Sequence, residues 1–174
     1  MDVAAVYLEF FARIPPLCRL AIDGLTAEEL ARQVQPGTNP IGWLVWHLTR
    51  VQDHHVSEVV DAEQRWLADD WAGRFGREPV SSDVGYGQSA EEVAAFDPVG
   101  ADLLVGYLDA VDARTREYLA TLSADDLDRI VDRNWDPPVT LGVRLVSVAD
   151  DSLQHAGQAL YLRGLLQPDW RFPA

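Results

Sequence analysis

The chain has few basic residues and no long apolar run. It contains 14 Lys and Arg among 174 residues, against 28 Asp and Glu, which gives a formal net charge of −14. Because phosphate groups are bound mainly by Lys and Arg, this balance predicts no nucleic-acid partner and no binding to an anionic membrane surface. No apolar run approaches the roughly 18 residues of a transmembrane helix, so we expect none.

Cysteine is also scarce, since Cys18 is the only one. A single cysteine excludes an internal disulfide and is typical of a reducing cytoplasm. The N-terminal sequence MDVAAVYLEFF has acidic residues where a secretory signal has basic ones, so we expect no signal peptide and a cytoplasmic location. Cys18 lies in the apolar segment LCRLA, which favours a small buried hydrophobe over the alternative, a catalytic thiol.

Four stretches of the chain have the apolar periodicity of long amphipathic helices. They cover residues 3–23, 39–69, 100–122 and 141–166. Pro15 and Pro16 should kink or split the first helix, because proline cannot donate a backbone hydrogen bond. Asn39 is the expected N-cap of the second helix, with Pro40 at its first position, and Thr140 is the expected cap of the fourth. The pattern predicts an all-α four-helix bundle, as one domain over 1–174.

Residues 70–97 interrupt this helical pattern with a segment rich in glycine, serine and aromatic residues. The segment is long enough to cross over between the second and third long helices, so strict up-down-up-down topology is not required. Long insertions in compact domains often carry function, and two interpretations stay open: a lid or pocket wall, and a plain surface loop. Trp71 at its start and Trp135 in the later NWDPP segment are candidates for lining a pocket.

Polar residues occupy the centre of the apolar seam of the fourth helix. Asp151 and His155 are four residues apart, which places both side chains on one face, roughly 5–6 Å apart at Cβ. Burying a carboxylate and an imidazole is unfavourable unless something compensates. Either the two side chains form an ordinary salt bridge, or they share a cation with a ligand from another helix, as bundle cores commonly do.

The second helix offers three histidines as that further ligand: His47, His54 and His55. Spacing alone does not choose among them. Two histidines and one carboxylate would leave coordination positions open, as in catalytic zinc sites, and the same ligand types form the two-histidine, one-carboxylate site of iron(II) enzymes.

Two segments carry a family resemblance. NPIGWLVWHLTRVQDHH and WDPPVTLGVRLVSVADDSLQHAGQALYLRG resemble the actinobacterial branch of the DinB-like superfamily, which includes mycothiol-dependent maleylpyruvate isomerases and bacterial thiol S-transferases. The resemblance extends from about Gly37 to Leu166 and implies a DinB-like four-helix bundle that holds a divalent metal, zinc first, with nickel or iron(II) as alternatives. It implies His47, in the WHL element, Asp151 and His155 as the ligands. Relatives have His or, in the isomerase type, Glu where this chain has Asp151.

Three neighbours of these residues are further candidates. Gln158, three residues after His155, either orients a ligand or is a surface amide. Arg50, three residues after His47, either receives the carboxylate of a substrate or forms a salt bridge with a nearby acid. His54, seven residues after His47, is a candidate general base.

Three functions follow from these observations. The first is a metal-dependent enzyme that activates a low-molecular-weight thiol such as mycothiol, for S-transfer to an electrophilic substrate or for isomerisation. The second is a metal-dependent hydrolase, which ranks lower because the chain has no HExxH-type base. The third is a non-catalytic bundle that binds a metal or ligand. The isomerase type has an additional C-terminal domain, whereas this chain ends soon after its fourth helix, which disfavours the same isomerase reaction and leaves room for a non-enzymatic role. A homodimer is expected from the resemblance.

Overall fold

A computed structural model describes residues 1–172, most of which are helical. The helices are α1 (Val3–Phe11), α2 (Ile14–Ile22), α3 (Ala27–Ala31), α4 (Ile41–Val59), α5 (Arg65–Ala68), α6 (Trp71–Arg74), α7 (Ala90–Ala94), α8 (Ala101–Leu119) and α9 (Leu141–Leu166). A 3-10 turn (Asp125–Asp128) and a two-stranded antiparallel ribbon, β1 (Ile130–Asp132) with β2 (Val139–Thr140), precede α9. Within the described chain, no helix has the length and hydropathy needed to span a bilayer.

The long helices form a four-helix bundle, so the predicted fold is confirmed. Its four members are α1 with α2, α4, α8 and α9. α4 packs between α8 and α9, and α2 packs against the same two helices from the other side of the core. His47 of α4 meets His155 of α9, whereas the later His55 meets the earlier Arg144, so these two helices run antiparallel. The short ribbon before α9 was not predicted, and it leaves the fold mostly helical.

The connection from α4 to α8 is a crossover, as the long insertion predicted. Arg50 of α4 donates to Tyr107 of α8, and Arg114 of α8 donates to Ser57 of α4. The later residue of one helix thus contacts the later residue of the other. α4 and α8 therefore run parallel, and residues 60–100 must carry the chain back along the length of the bundle. The resulting topology is not up-down-up-down.

The first predicted helix is split in two, at the place that the prolines indicated. Pro15 and Pro16 lie in the first turn of α2, where a missing N–H leaves no helical hydrogen bond unmade. Cys18 in the same helix is buried, and burial raises the pKa of its thiol to about 12. The thiol is therefore protonated at neutral pH and packs as a small apolar side chain, as predicted.

The second long helix differs from the prediction at both ends. It begins at Ile41 with Pro40 in the cap position, one residue later than the Asn39 cap predicted, and it ends at Val59 instead of near Asp69. A tertiary contact accounts for the early end of the helix. The buried carboxylate of Asp53 accepts the backbone N–H groups of Arg65 and Trp66, the first residues of α5, at 2.9 and 2.8 Å. The chain consequently folds back against α4 after Val59.

The loop before α9 sets where that helix begins. Thr140 closes the ribbon and caps α9, its hydroxyl accepting the backbone N–H of Val143 at 3.4 Å, as predicted. Trp135 lies in the ribbon's loop and is 67% exposed, and its role in lining a pocket stays a prediction. The buried side of α9 packs against α2 and α4, which places its central polar residues opposite α4.

Candidate metal centre

The bundle brings the three ligands implied by the resemblance to one place. His47 comes from α4, and Asp151 and His155 come from α9. Asp151 Oδ1 lies 3.4 Å from Nε2 of His155 and 4.0 Å from Nε2 of His47. The two imidazole rings meet edge to face, with 4.8 Å between centroids. One ligand atom from each residue lies within 4.8 Å of the other two, so a single ion has access to all three.

The ring of His47 is oriented from both sides. Its Nδ1 is hydrogen-bonded to the backbone carbonyl of Val84, in the crossover, and its face stacks on Trp43, 4.6 Å away. A carbonyl oxygen can only accept, so Nδ1 carries the proton and Nε2 keeps its lone pair. That lone pair is on the side of the ring that faces Asp151.

His155 is oriented in the same way by a side chain of its own helix. Its Nδ1 lies 2.8 Å from Oε1 of Gln158, one turn further along α9. The amide oxygen accepts the Nδ1 proton, which again leaves Nε2 free on the side of Asp151. Gln158 is exposed, but it contacts a candidate ligand, so the structure favours the orienting role over that of an uninvolved surface amide.

The charges at the centre suit a cation. Burial lowers the pKa of His47, which keeps it neutral and able to ligate. A hydrogen bond to the carboxylate of Asp151 raises the pKa of His155 above its usual value, because that carboxylate stabilises positive charge at this place. Asp151 Oδ2 is buried and has no hydrogen-bond partner within residues 1–172, an unfavourable state for a carboxylate that a bound cation would relieve.

This donor set fits a divalent metal that also binds a substrate. Two imidazole nitrogens and one carboxylate oxygen leave coordination positions for other ligands. The side chain of His47 is 7% exposed, whereas those of His155 and Asp151 are 20% and 29% exposed. The centre is therefore closed on the α4 side and open to solvent along α9. The side chain of Asp151, although shorter than Glu, places Oδ1 within 4.0 Å of Nε2 of both histidines.

Arg50 forms the salt bridge that was one of its two interpretations. Its guanidinium lies 3.5 Å from Asp53 and donates to Tyr107, Gln64 and two backbone carbonyls of the crossover. Arg50 is 0% exposed, so the structure leaves none of its donors free for the carboxylate of a substrate. The structure therefore favours the salt-bridge interpretation of Arg50 over its placement as a substrate-binding residue.

His54 and His55 lie further along α4 than the three candidate ligands. His54 Nδ1 is 2.9 Å from Nε2 of Gln64, and its role as a general base stays a prediction. His54, His55 and Glu58 form a second group with metal-ligand chemistry. However, the guanidinium of Arg144 lies 3.1 Å from Nδ1 of His55, and a cation there disfavours a metal ion.

The crossover supplies one wall of the metal centre, so the wall interpretation of residues 70–97 fits better than that of a plain surface loop. Its residues 81–88 lie against α4 beside His47. Trp71 at its start packs in the core against Gly106 and Tyr107 instead. Trp71 also lines a cavity of about 790 Å³ that shares no lining residue with the metal centre. The sequence did not predict the contact between Val84 and His47, because every residue has a backbone carbonyl and the residue type does not show which one binds a side chain.

The fold and the site together define a helical bundle of DinB-like type with a His/Asp/His centre that suits a divalent metal. A family model described as mycothiol-S-transferase matches residues 17–168, so the chain belongs to the mycothiol-S-transferase family. The chain is also similar to a crystal structure of a conserved protein from Enterococcus faecalis, with 31% identity and a TM-score of 0.89 over 97% of this chain and 99% of that one. None of the curated proteins matches it. The predicted family is confirmed, and membership implies a thiol substrate.

Proposed function

We propose that the protein is a divalent-metal-dependent S-transferase that activates a low-molecular-weight thiol, mycothiol, for attack on an electrophilic substrate. The observation that supports this most is the convergence of three ligand atoms at a partly exposed place, with both imidazole Nδ1 atoms held by other partners. Zinc suits two nitrogens and one oxygen with an open position, and nickel or iron(II) would suit the same donors.

A divalent ion held by these residues would lower the pKa of a thiol bound to it, giving a thiolate at neutral pH. His47 and His155 would donate through Nε2, and Asp151 through its carboxylate. Val84 and Gln158 keep both imidazoles in the tautomer that can ligate. The carboxylate is the only charged group of the three when both imidazoles are neutral, so the set carries one negative charge.

The transfer itself is a displacement at the electrophile. The thiolate sulfur forms a bond to the electrophilic carbon, and the leaving group departs with the electron pair of the broken bond. The proton of the thiol goes to solvent, to which the open side of the centre gives access. Trp43 and the crossover cover the other side of His47, and so keep water away from its face.

The test is an S-transfer assay on the metal-free and zinc-loaded protein. With mycothiol and 1-chloro-2,4-dinitrobenzene, we expect zinc-dependent formation of the thioether, followed by absorbance. Glutathione in place of mycothiol should react more slowly, and Asp151→Asn should lose the zinc-dependent rate. A rate that is equal with and without zinc, or equal in Asp151→Asn, would contradict the proposal.

We also propose that the protein is a homodimer. Apolar side chains of α1 and α9 are exposed in the described chain, and an exposed apolar surface supports self-association. The side chains concerned are Val6, Phe10, Val143 and Val146. Light scattering at several concentrations should give twice the mass of the chain, and a monomer mass throughout would contradict the dimer.

A further inference from the structure

Residues 81–88 of the crossover, which we call the strap, are bound to one face of α4. The carbonyls of Ser81 and Asp83 accept from Arg50, each at 3.0 Å, and the carbonyl of Val84 accepts from His47. The side chain of Gln88 accepts from an indole N–H at 2.9 Å. The α4 residues that contact the strap follow one another at steps of four, three and four: Trp43, His47, Arg50 and His54. Such steps lie on one side of a helix.

The strap is fixed at both its ends and its middle. Arg50 is fully buried, and its remaining donors engage the core through Tyr107 and Gln64, so the two strap carbonyls are tied to the bundle interior. Asp83 also links parts of the strap, and we call this link the brace. Its carboxylate accepts from the guanidinium of Arg77 at 2.7 Å and from the side-chain amide of Gln88 at 3.1 Å. The carbonyl that meets His47 therefore has a fixed position.

Gly85 is the residue that lets the strap lie this close. Its φ is +87°, a left-handed conformation, and a Cβ on it would lie 2.9 Å from the rings of Trp43 and Trp46 and 3.0 Å from Nδ1 of His47. Real Cβ atoms rarely approach so closely, and Nδ1 is the atom that bonds to Val84. Gly87, two residues on, has a φ of +78° but no atom within 4 Å of such a Cβ.

We propose that the strap is a positioning element of the metal centre, in which Val84 and Gly85 fix the tautomer and ring of His47. The inference rests in part on the proposed function, because positioning matters through the metal. If the Val84 carbonyl moved away, Nε2 could carry the proton instead, and a protonated nitrogen cannot ligate. Arg50 is then a positioning residue, since it acts on His47 only through the strap carbonyls.

The test compares Gly85→Ala with Gly87→Ala. Both substitutions carry the same left-handed strain, but only the first places a methyl group against His47 and the tryptophans. We expect zinc affinity, measured by competition with a chelator, to fall about 10–100-fold in Gly85→Ala, the range for partners that orient a ligand, and to stay near wild type in Gly87→Ala. Equal affinities in the two variants would overturn the proposal.

A second pair of variants keeps the test valid if Gly85→Ala does not fold. Asp83 is partly exposed, and Asp83→Ala would release the brace without opening the core. Tyr86 is 90% exposed in the same strap, so Tyr86→Ala is the matched control. Weaker zinc binding in Asp83→Ala alone is expected, and unchanged binding in Asp83→Ala would overturn the proposal.

A measurement without metal separates this inference from the proposed function. In the metal-free protein, ¹⁵N NMR should show His47 protonated at Nδ1 in wild type and Gly87→Ala, and a mixture of tautomers in Gly85→Ala. A protein that binds no zinc would defeat the proposed function alone. A wild-type His47 that is protonated at Nε2 would defeat the role of the strap, whether or not zinc binds.

Discussion

Two polar clusters have members on α4, within two turns of each other along that helix. They differ in whether every buried polar atom has a hydrogen-bond partner. In the cluster of Arg50, Asp53 and Tyr107, each polar side-chain atom has a partner: Tyr107 donates to Asp53 at 2.8 Å, and Asp53 also accepts two backbone N–H groups. In the cluster of His47, Asp151 and His155, a buried carboxylate oxygen has no partner among the described residues.

This difference in hydrogen bonding distinguishes the Arg50 cluster, which is structural, from the His47 cluster, which has the features of a ligand site. A buried polar network that satisfies all its members is complete, and any ligand would have to break it. The histidine cluster is incomplete in a particular way, since both Nδ1 atoms are bonded elsewhere and both Nε2 atoms face one carboxylate. Burial alone therefore does not identify a functional residue on this helix; the unmet hydrogen-bonding capacity does.

The largest expected effect is on the structural cluster. Asp53→Ala leaves the fully buried guanidinium of Arg50 without its carboxylate and removes the acceptor that turns the chain after α4. We expect the free energy of unfolding, from urea denaturation, to fall by about 3–5 kcal/mol. The control is Asp69→Ala, which removes a surface ion pair with Arg65 worth about 0.2–1 kcal/mol. Losses of equal size would show that the Arg50 cluster is not structural.

Replacing the carboxylate of the other cluster should weaken metal binding without lowering the stability of the metal-free protein. Asp151→Asn should weaken zinc binding strongly, because it removes the charge of a ligand. The loss should exceed the range of about 10–100-fold that is expected when a residue that only orients a ligand is replaced. The metal-free variant should unfold at no lower urea concentration than wild type, since a buried carboxylate oxygen without a partner is lost. Asp150→Asn, on the exposed side of α9, is the control and should keep wild-type affinity.

A smaller effect is expected from the amide that orients His155. Gln158→Leu removes the acceptor of the Nδ1 proton but keeps much of the side-chain volume. Zinc affinity should fall about tenfold, with little change in unfolding. Gln154→Leu is the matched control, because Gln154 is exposed on the same helix and bonds to Asp150 instead. The same loss in both variants would contradict an orienting role for Gln158.

The last expected effect is a pH dependence of stability in the metal-free protein. Burial first, and then the neighbouring Arg144, lower the pKa of His55 from 6.5 to about 4. Between these values the unfolded chain binds more protons, so the contribution of neutral His55 is complete above pH 6.5 and is lost as the pH falls towards 4. His55→Gln should therefore lose less stability than wild type between pH 7 and 4.5. Parallel losses, measured by urea unfolding, would contradict this depressed pKa.

Helical periodicity predicted the bundle, and helical spacing together with the family resemblance predicted the members of the centre. The spacing of Asp151 and His155 fixes a common face, Gln158 follows one turn later, and the resemblance selected His47 from three histidines. Nothing in the sequence marks Asp53, by contrast, although its carboxylate binds the backbone where the chain turns after α4. Its partners are backbone N–H groups that come within reach only when the chain has folded.

The strap contact could not be predicted for the same reason. Every residue has a carbonyl, so nothing in the sequence marks the one of Val84 that meets His47. The nearest signal is the Gly85-Tyr86-Gly87 segment, and sequence alone does not show which glycine is required by a neighbour. For Arg50, the position beside His47 left a substrate contact and a salt bridge open, and its burial, which the sequence does not show, favours the salt bridge.

The most direct test of the His47, Asp151 and His155 metal centre is the metal content of the untagged protein. Wild type and His155→Ala would be exposed to zinc, nickel or iron(II), desalted, and analysed for bound metal by mass spectrometry. We expect one equivalent of metal per chain in wild type and little or none in His155→Ala, since a working site fills close to stoichiometry. Trace metal in wild type, or equal occupancy in both proteins, would contradict it.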